Sequence, residues 1–162
     1  MNPDDPDAVD ILRRAMVART ATVSRTGRPH VNPLYFVYGN GEIYLGTSER
    51  TLAAMNARAN PRVTVLFNVE SAPNDRRVLR ISGRATVRTD SGLRRWYLRR
   101  DVWKYFVNWR GFSNAIMHAR LLFLVRHYLS SGSSDRMCVL EVLPETAELL
   151  TAPERVRNPE AL

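Results

Sequence analysis

Apolar residues change their spacing along this chain, and the changes mark out its elements. From Asp7 to Val17, Val9, Leu12 and Met16 recur at helical spacing behind an Asp-rich start, which suits the positive end of a helix dipole and predicts a short first helix. The period then falls to two. Thr20 to Ser24 is a β-branched run, Arg25-Thr26-Gly27-Arg28 a turn, and His30 to Tyr38 a second run, so the pair reads as a hairpin. Gly39-Asn40-Gly41 predicts another turn into Glu42 to Thr47, where Ile43 and Leu45 alternate with polar or small neighbours. Together the three runs predict a three-stranded meander.

Glu49 to Ala59 is alanine-rich, with Leu52, Met55 and Asn56 on adjacent helical turns, and Asn60-Pro61 ends it because proline disfavours helical geometry in the residue before it. Arg62 to Val69 is the fourth strand. Beyond a polar loop around Ser71 to Asp75, Arg77 to Arg88 alternates again and is expected to bend at Gly83, so that the sheet closes on itself. Ser91 to Leu129 is helical and divided at Gly111, with Trp96, Tyr97, Trp103, Tyr105, Phe106, Trp109 and Phe112 interleaved with arginines. Ser130 to Ser134 reads as a loop, and Met137 to Leu143 as a last strand that stops before Pro144.

The composition, 44% hydrophobic and 25% charged over 162 residues, is that of one globular domain. Residues 1–162 are therefore read as a single domain with a helical insertion at about 91–130. The single cysteine, Cys138, cannot form an internal bridge, and no cysteine and histidine cluster has zinc spacing, so no metal is expected. With an acidic start at Met1 to Asp7 in place of a basic and apolar leader, this predicts a cytoplasmic location. No transmembrane segment is expected: the most apolar stretch, Ala115 to Leu129, is too short and carries His118, Arg120, Arg126 and His127.

The net charge of +8 is unevenly spread, since from Arg76 to Arg136 fourteen basic residues stand against Asp90, Asp101 and Asp135. That excess is either a solvated face or a site for anions; no nucleic-acid partner is expected. Lys104 is the only lysine among the 24 basic side chains.

Three stretches in order carry a family resemblance: Gly27-Arg28-Pro29-His30-Val31-Asn32-Pro33-Leu34-Tyr35-Phe36, then Tyr44-Leu45-Gly46-Thr47-Ser48 with a short helix, then Asn60-Pro61-Arg62-Val63. They resemble the pyridoxamine 5'-phosphate oxidase-like family over about residues 10–90 and again 136–150. The resemblance implies a mainly β fold with added helices, a split β-barrel of the FMN-binding type, and a homodimer with the cofactor between subunits. It makes Asn32, Pro33, Leu34 and Tyr35 the candidates beside the flavin ring. Gly46, Thr47, Ser48, Arg50 and Thr51 become the candidates around its phosphate. Many members carry an Arg-Lys pair where this chain has Leu52-Ala53, so Arg50, or Arg58 two turns on, together with hydroxyls and a helix N-terminus, is left to hold the phosphate.

The activity implied is a flavin-dependent oxidoreductase in which FMN exchanges hydride with a small-molecule substrate. No catalytic triad, carboxylate pair or glycine-rich phosphate loop is present, and this chemistry requires none. Pyridoxamine phosphate is not the favoured substrate, because the family's substrate-phosphate residues have no match after Leu143. Trp96, Trp103 or Trp109 from the partner is expected over the ring. One alternative is the 8-hydroxy-5-deazaflavin cofactor, whose glutamate tail suits the arginine surplus. Another is a nonenzymatic split-barrel binding protein that has lost the phosphate clamp. Haem, for which His30, His118, His127 and Cys138 are potential ligands, is disfavoured because His118 and His127 fall on opposite faces of one helix.

Overall fold

The structure is a computed structural model and describes residues 3–72, 74–107 and 136–150. Its elements are α1 (Pro6–Arg14), β1 (Ala18–Val23), β2 (Pro29–Leu34), β3 (Phe36–Gly39), β4 (Glu42–Ser48), α2 (Leu52–Ala59), β5 (Arg62–Asn68), β6 (Val78–Arg88), α3 (Ser91–Val102) and β7 (Met137–Leu150). A π-helical turn, Trp103–Val107, continues α3. Gly111, Trp109 and Phe112, the loop at Ser130 to Ser134, and the remainder of the expected helical stretch lie outside the described residues.

The two predicted turns form for the predicted reason. Gly27 lies at φ 80° between β1 and β2, and Asn40 and Gly41 lie at φ 56° and 77° between β3 and β4, the left-handed pair that a two-residue hairpin needs. What they connect differs from a meander. The single run expected from His30 to Tyr38 is two strands that part at Tyr35, and the sheet order is β2-β1-β5-β6-β7-β4-β3. Consecutive strands β2 and β3 thus stand at opposite edges of a seven-stranded antiparallel sheet. One residue cannot span the width of a flat sheet, so the sheet curls until its edges meet at Tyr35. At Tyr35 the β3–β4 ladder runs on by one step, the Gly46 N–H donating to the Tyr35 carbonyl at 3.1 Å. The result is a curled half-barrel with added helices, a split barrel.

The last strand runs through Pro144 instead of stopping before it. Register passes from Gly83 opposite Pro144 to Ser82 opposite Thr146, leaving Glu145 as an extra residue. One extra residue flips the facing of everything after it, and the buried positions on β7 change accordingly from Cys138, Leu140 and Val142 to Ala147. β4 pairs with β7 only from Met137 to Val142, so Pro144 sits where β7 has one neighbour and its missing N–H is tolerated. The bend expected at Gly83 is this bulge, and a side chain there would run into the Leu143 carbonyl.

Inside the curl lie Phe36, Ile43, Leu45, Val63, Val65, Phe67, Leu79, Ile81 and Leu140. The first helix closes one side with Ala8, Ile11, Leu12 and Ala15, a stripe at i, i+3, i+4 and i+7; Leu12 belongs to it, but Val9 and Met16 do not. In α2 the buried face is Ala53, Ala54, Asn56 and Ala57, while Leu52 and Met55, on the turns next to Asn56, are 51% and 55% exposed. Small residues allow this helix to lie close against the sheet, and Asn56 satisfies its amide by donating to Thr22 Oγ1 at 3.0 Å. The third helix covers the other face of β3, β4 and β7 through Leu93, Trp96 and Tyr97 on Val37, Tyr44 and Val139.

Candidate functional site

Closure at Tyr35 sets the geometry of the site, because it brings the end of β2 beside β4 and the start of α2. Gly46 is needed here: a Cβ on it would stand 2.5 Å from the Tyr97 hydroxyl. That hydroxyl also reaches the Tyr35 carbonyl at 3.2 Å and Asp101 Oδ1 at 3.0 Å. The ring of Tyr35 rests edge-on against Tyr105, with centroids 4.7 Å apart, and 53% of Tyr35 remains exposed.

On β2, Asn32 and Leu34 are half-buried while Pro33 is exposed with Val31 on the opposite face. Asn32 pairs with Thr20 across the β1–β2 ladder. Its amide nitrogen is buried with no hydrogen-bond partner, and so is the Thr20 hydroxyl. Unpartnered buried donors are rare and costly, so an acceptor for the Asn32 amide is a structural need.

At the β4–α2 turn, Thr51 caps α2: its oxygen accepts from the Ala54 N–H at 3.3 Å and its hydroxyl donates to the Ser48 carbonyl at 2.8 Å. Thr47 Oγ1 lies 2.8 Å from Thr51 Oγ1. Since the Thr51 proton goes to Ser48, Thr47 is the donor in that pair, and the hydroxyl protons of both threonines are engaged within the turn. Ser48 Oγ accepts from the Arg50 N–H at 3.5 Å. The groups at this turn that suit an anion are the Ser48 hydroxyl, the first-turn N–H groups of α2, which have no intrahelical partner, and the cationic Arg50 beside them. Arg58 is directed elsewhere, donating to the Glu49 carbonyl at 3.1 Å and lying 3.6 Å from the Glu49 carboxylate. Ala53, where the family resemblance places a cation, is packed into the core.

Four arginines of the basic stretch are likewise internally matched. Arg77 pairs with Asp75, Asp10 and Asp7, Arg80 with Glu148, Arg88 with Glu141 and Asp90, and the Arg100 guanidinium stacks on Trp96. The aromatic candidates divide. Trp96 is packed edge-on against Tyr44, Trp103 is exposed, and Trp109 lies outside the described residues. Cys138 is fully buried and burial pushes its thiol up to about 11, which makes it a core residue. His118 and His127 lie outside the described residues.

A group of residues absent from the sequence-based site adjoins Tyr35. Tyr105 accepts from the Phe36 N–H at 3.2 Å and donates to the Met16 carbonyl at 2.9 Å. Lys104 Nζ donates to the Leu12 and Phe36 carbonyls, each at 3.4 Å, and burial lowers its pKa to about 7. Burial likewise raises the Asp101 carboxyl and the Tyr97 and Tyr105 hydroxyls above their ordinary values. The one signal for this group in the sequence is that Lys104 is the chain's only lysine.

A seven-stranded split barrel whose edges close over the start of a helix defines a class of proteins, and the comparisons assign this chain within it. The sequence matches the pyridoxamine 5'-phosphate oxidase family over residues 5–132, and the chain belongs to that family. A search of curated proteins finds no match. Among solved structures, a putative pyridoxamine 5'-phosphate oxidase from Listeria innocua is 18% identical with a TM-score of 0.62, covering 90% of this chain and 97% of that one. An F420 reductase is 17% identical with a TM-score of 0.60, covering 86% and 94%. HutZ, the haem storage protein from Vibrio cholerae, is 18% identical with a TM-score of 0.62, covering 90% and 92%. At such identities the likeness is one of fold. Among the described residues no helix is long and apolar enough to cross a membrane.

Proposed function

We propose that the chain binds FMN at the meeting of β2 with the β4–α2 turn and works as a flavin-dependent oxidoreductase on a small organic substrate. The observation that carries this reading is the Gly46 to Tyr35 hydrogen bond, which joins the segment expected beside the ring to the segment expected around the phosphate. The ring side fits, because the Asn32 amide is a buried donor without an acceptor and a flavin edge offers carbonyl and nitrogen acceptors. The phosphate side fits with fewer cations than the family resemblance implies: Ser48, Arg50 and the first turn of α2 would hold it. When bound, the flavin supplies hydride transfer; the chain's part is to orient the ring with Asn32 and Tyr35 and to shield it from water. The family membership supports a flavin and leaves its kind to experiment.

The test is titration of the purified protein with FMN and with riboflavin, followed by flavin fluorescence. FMN is expected to bind, with a preference over riboflavin smaller than an Arg-Lys clamp would give, since each hydrogen bond to a charged group contributes about 1.5–3 kcal/mol. Arg50→Ala is expected to erase most of that preference and leave riboflavin affinity unchanged. Absence of binding by FMN and by the 8-hydroxy-5-deazaflavin cofactor, in a folded protein, would leave the nonenzymatic reading in place of this one.

A further inference from the structure

Arginine fills every basic position of this chain but one, and the exception, Lys104, is half-buried with its amine turned to backbone carbonyls and aromatic rings. Arg and Lys both carry charge, but only lysine releases its proton in the neutral range when it is taken out of water. Lys104 lies in the π-helical turn after α3, an irregularity that recurs at functional positions. Its Nζ is held by neutral groups: the Leu12 carbonyl of α1, the Phe36 carbonyl of β3, and the Phe36 ring, whose centroid is 3.3 Å away. Phe36 follows Tyr35, the residue at which the two edges of the sheet meet.

We propose that Lys104 is a proton-controlled positioning residue: its charged amine grips the Phe36 carbonyl and ring, fixing Tyr35 at the edge of the candidate site, and the grip loosens when the proton leaves. The attraction to the ring belongs to the ammonium form, and the two hydrogen bonds are stronger while the donor is charged. The ionisable groups that act on the amine are Asp101 and Tyr105 on its own segment and Glu70 from the turn after β5. Asp101 accepts from Tyr97, and Glu70 accepts from the Met16 N–H and pairs with Arg19, so neither carboxylate forms an ion pair with Lys104 among the described residues. Burial therefore outweighs their attraction and places the titration near pH 7. An arginine at this position would stay charged throughout.

One lysine in the chain makes a direct test practical. Lysine labelled at Cε with carbon-13 gives one side-chain signal in the intact protein, and nitrogen-15 labelling reports the amides of Tyr35 and Phe36 in the same samples. We expect the Lys104 signal to titrate near pH 7, where an exposed lysine titrates above pH 10, and both amides to move with the same midpoint. In Lys104→Arg the amides should stay at their low-pH positions from pH 6 to 9, and in Lys104→Met their titration should vanish. A Lys104 midpoint above pH 9, or amides that stay still while Lys104 titrates, overturns the proposal, and the unmodified protein decides this even if a variant fails to fold. The consequence for a ligand rests on the proposed function: riboflavin, which has no phosphate to titrate, should bind several-fold more weakly at pH 8.5 than at pH 6, with no such change in Lys104→Met. A protein that binds no riboflavin at either pH would sink the cofactor reading, while the titration would still decide the role of Lys104. Riboflavin affinity that is equal at both pH values would overturn the link from Lys104 to the site.

Discussion

Gly46 is occupied by the smallest residue because Tyr97 fills the space where a side chain would go. Overpacking against a wedged ring costs roughly 1–3 kcal/mol, so Gly46→Ala is expected to lower the unfolding free energy read from urea curves by that amount, and Tyr97→Phe in the same chain to recover part of it by freeing the hydroxyl's place. Lys104 gives a second prediction at this scale. Its pKa is near 7 in the folded chain and near 10.4 in the unfolded one, so between those values the unfolded state binds more protons and stability rises with pH. Below pH 7 both states are protonated and the whole burial penalty is present. Lys104→Met, with similar volume and no charge to bury, is thus expected to be more stable than the parent at pH 6 by an amount on the order of a few kcal/mol, with the difference shrinking as pH approaches 10; denaturant curves at both ends check the sign. The family resemblance marks Gly46 and composition marks Lys104 as the only lysine, but the Tyr97 ring and the Phe36 carbonyl, each brought from another element, are what give them these packing roles.

Elements were legible wherever their signal was local. The hairpin turns, the alternation of Ile43 with Leu45, the bend at Gly83 and the stop at Asn60-Pro61 all stand as the residue types predict. The misreadings share a cause. The run from His30 to Tyr38 looks like one strand, but its halves pair at opposite edges of the sheet. Pro144 looks like a strand end, but one-sided pairing at a bulge admits it. The N-terminal helix offers a test of how elements are joined. Asp75 is held well below the usual carboxylate range, at about 2, by its hydrogen bonds and charge contact with Arg77, which also reaches Asp10 and Asp7 of α1. A carboxyl depressed on folding stabilises above its unfolded pKa and loses that contribution as pH falls through the folded one. Amide exchange in α1 is therefore expected to speed up between about pH 4 and pH 2 more than exchange in β5, and Asp75→Asn to bring the fast exchange to neutral pH.

At the scale of the molecule, a half-barrel leaves apolar surface that a partner copy would cover. Val31 of β2 is 65% exposed, and Tyr35 after β2 and Leu52 and Met55 of α2 are each more than half exposed. Light scattering at micromolar concentration is expected to give twice the 18.5 kDa chain mass, and Val31→Glu with Met55→Glu to shift it to the single chain. A monomer before mutation would remove the partner's contribution to the proposed pocket. The arginine surplus also changes meaning at this scale. Arg77, Arg80 and Arg88 are tied to carboxylates, so the field of the folded molecule is weaker than the residue count from Arg76 to Arg136 suggests.

By itself the sequence determined the local vocabulary: turns from Gly and Asn at positive φ, strands from β-branched alternation, helix ends from Pro and capping Thr51, and the motifs from Gly27 to Arg62 that mark the family. These depend on neighbours a few residues apart, and short-range sterics settle them. Tertiary structure alone decided that β2 and β3 stand at opposite edges and that β7 inserts between β4 and β6. Strand edges present the same N–H and C=O groups whatever their side chains, so the choice of neighbour falls to packing across the whole core. The same holds for the candidate site. Its residues can be named from motifs, but the unpartnered Asn32 amide, the engaged hydroxyls of Thr47 and Thr51, and the burial that lowers the Lys104 pKa exist only once distant elements exclude water from them.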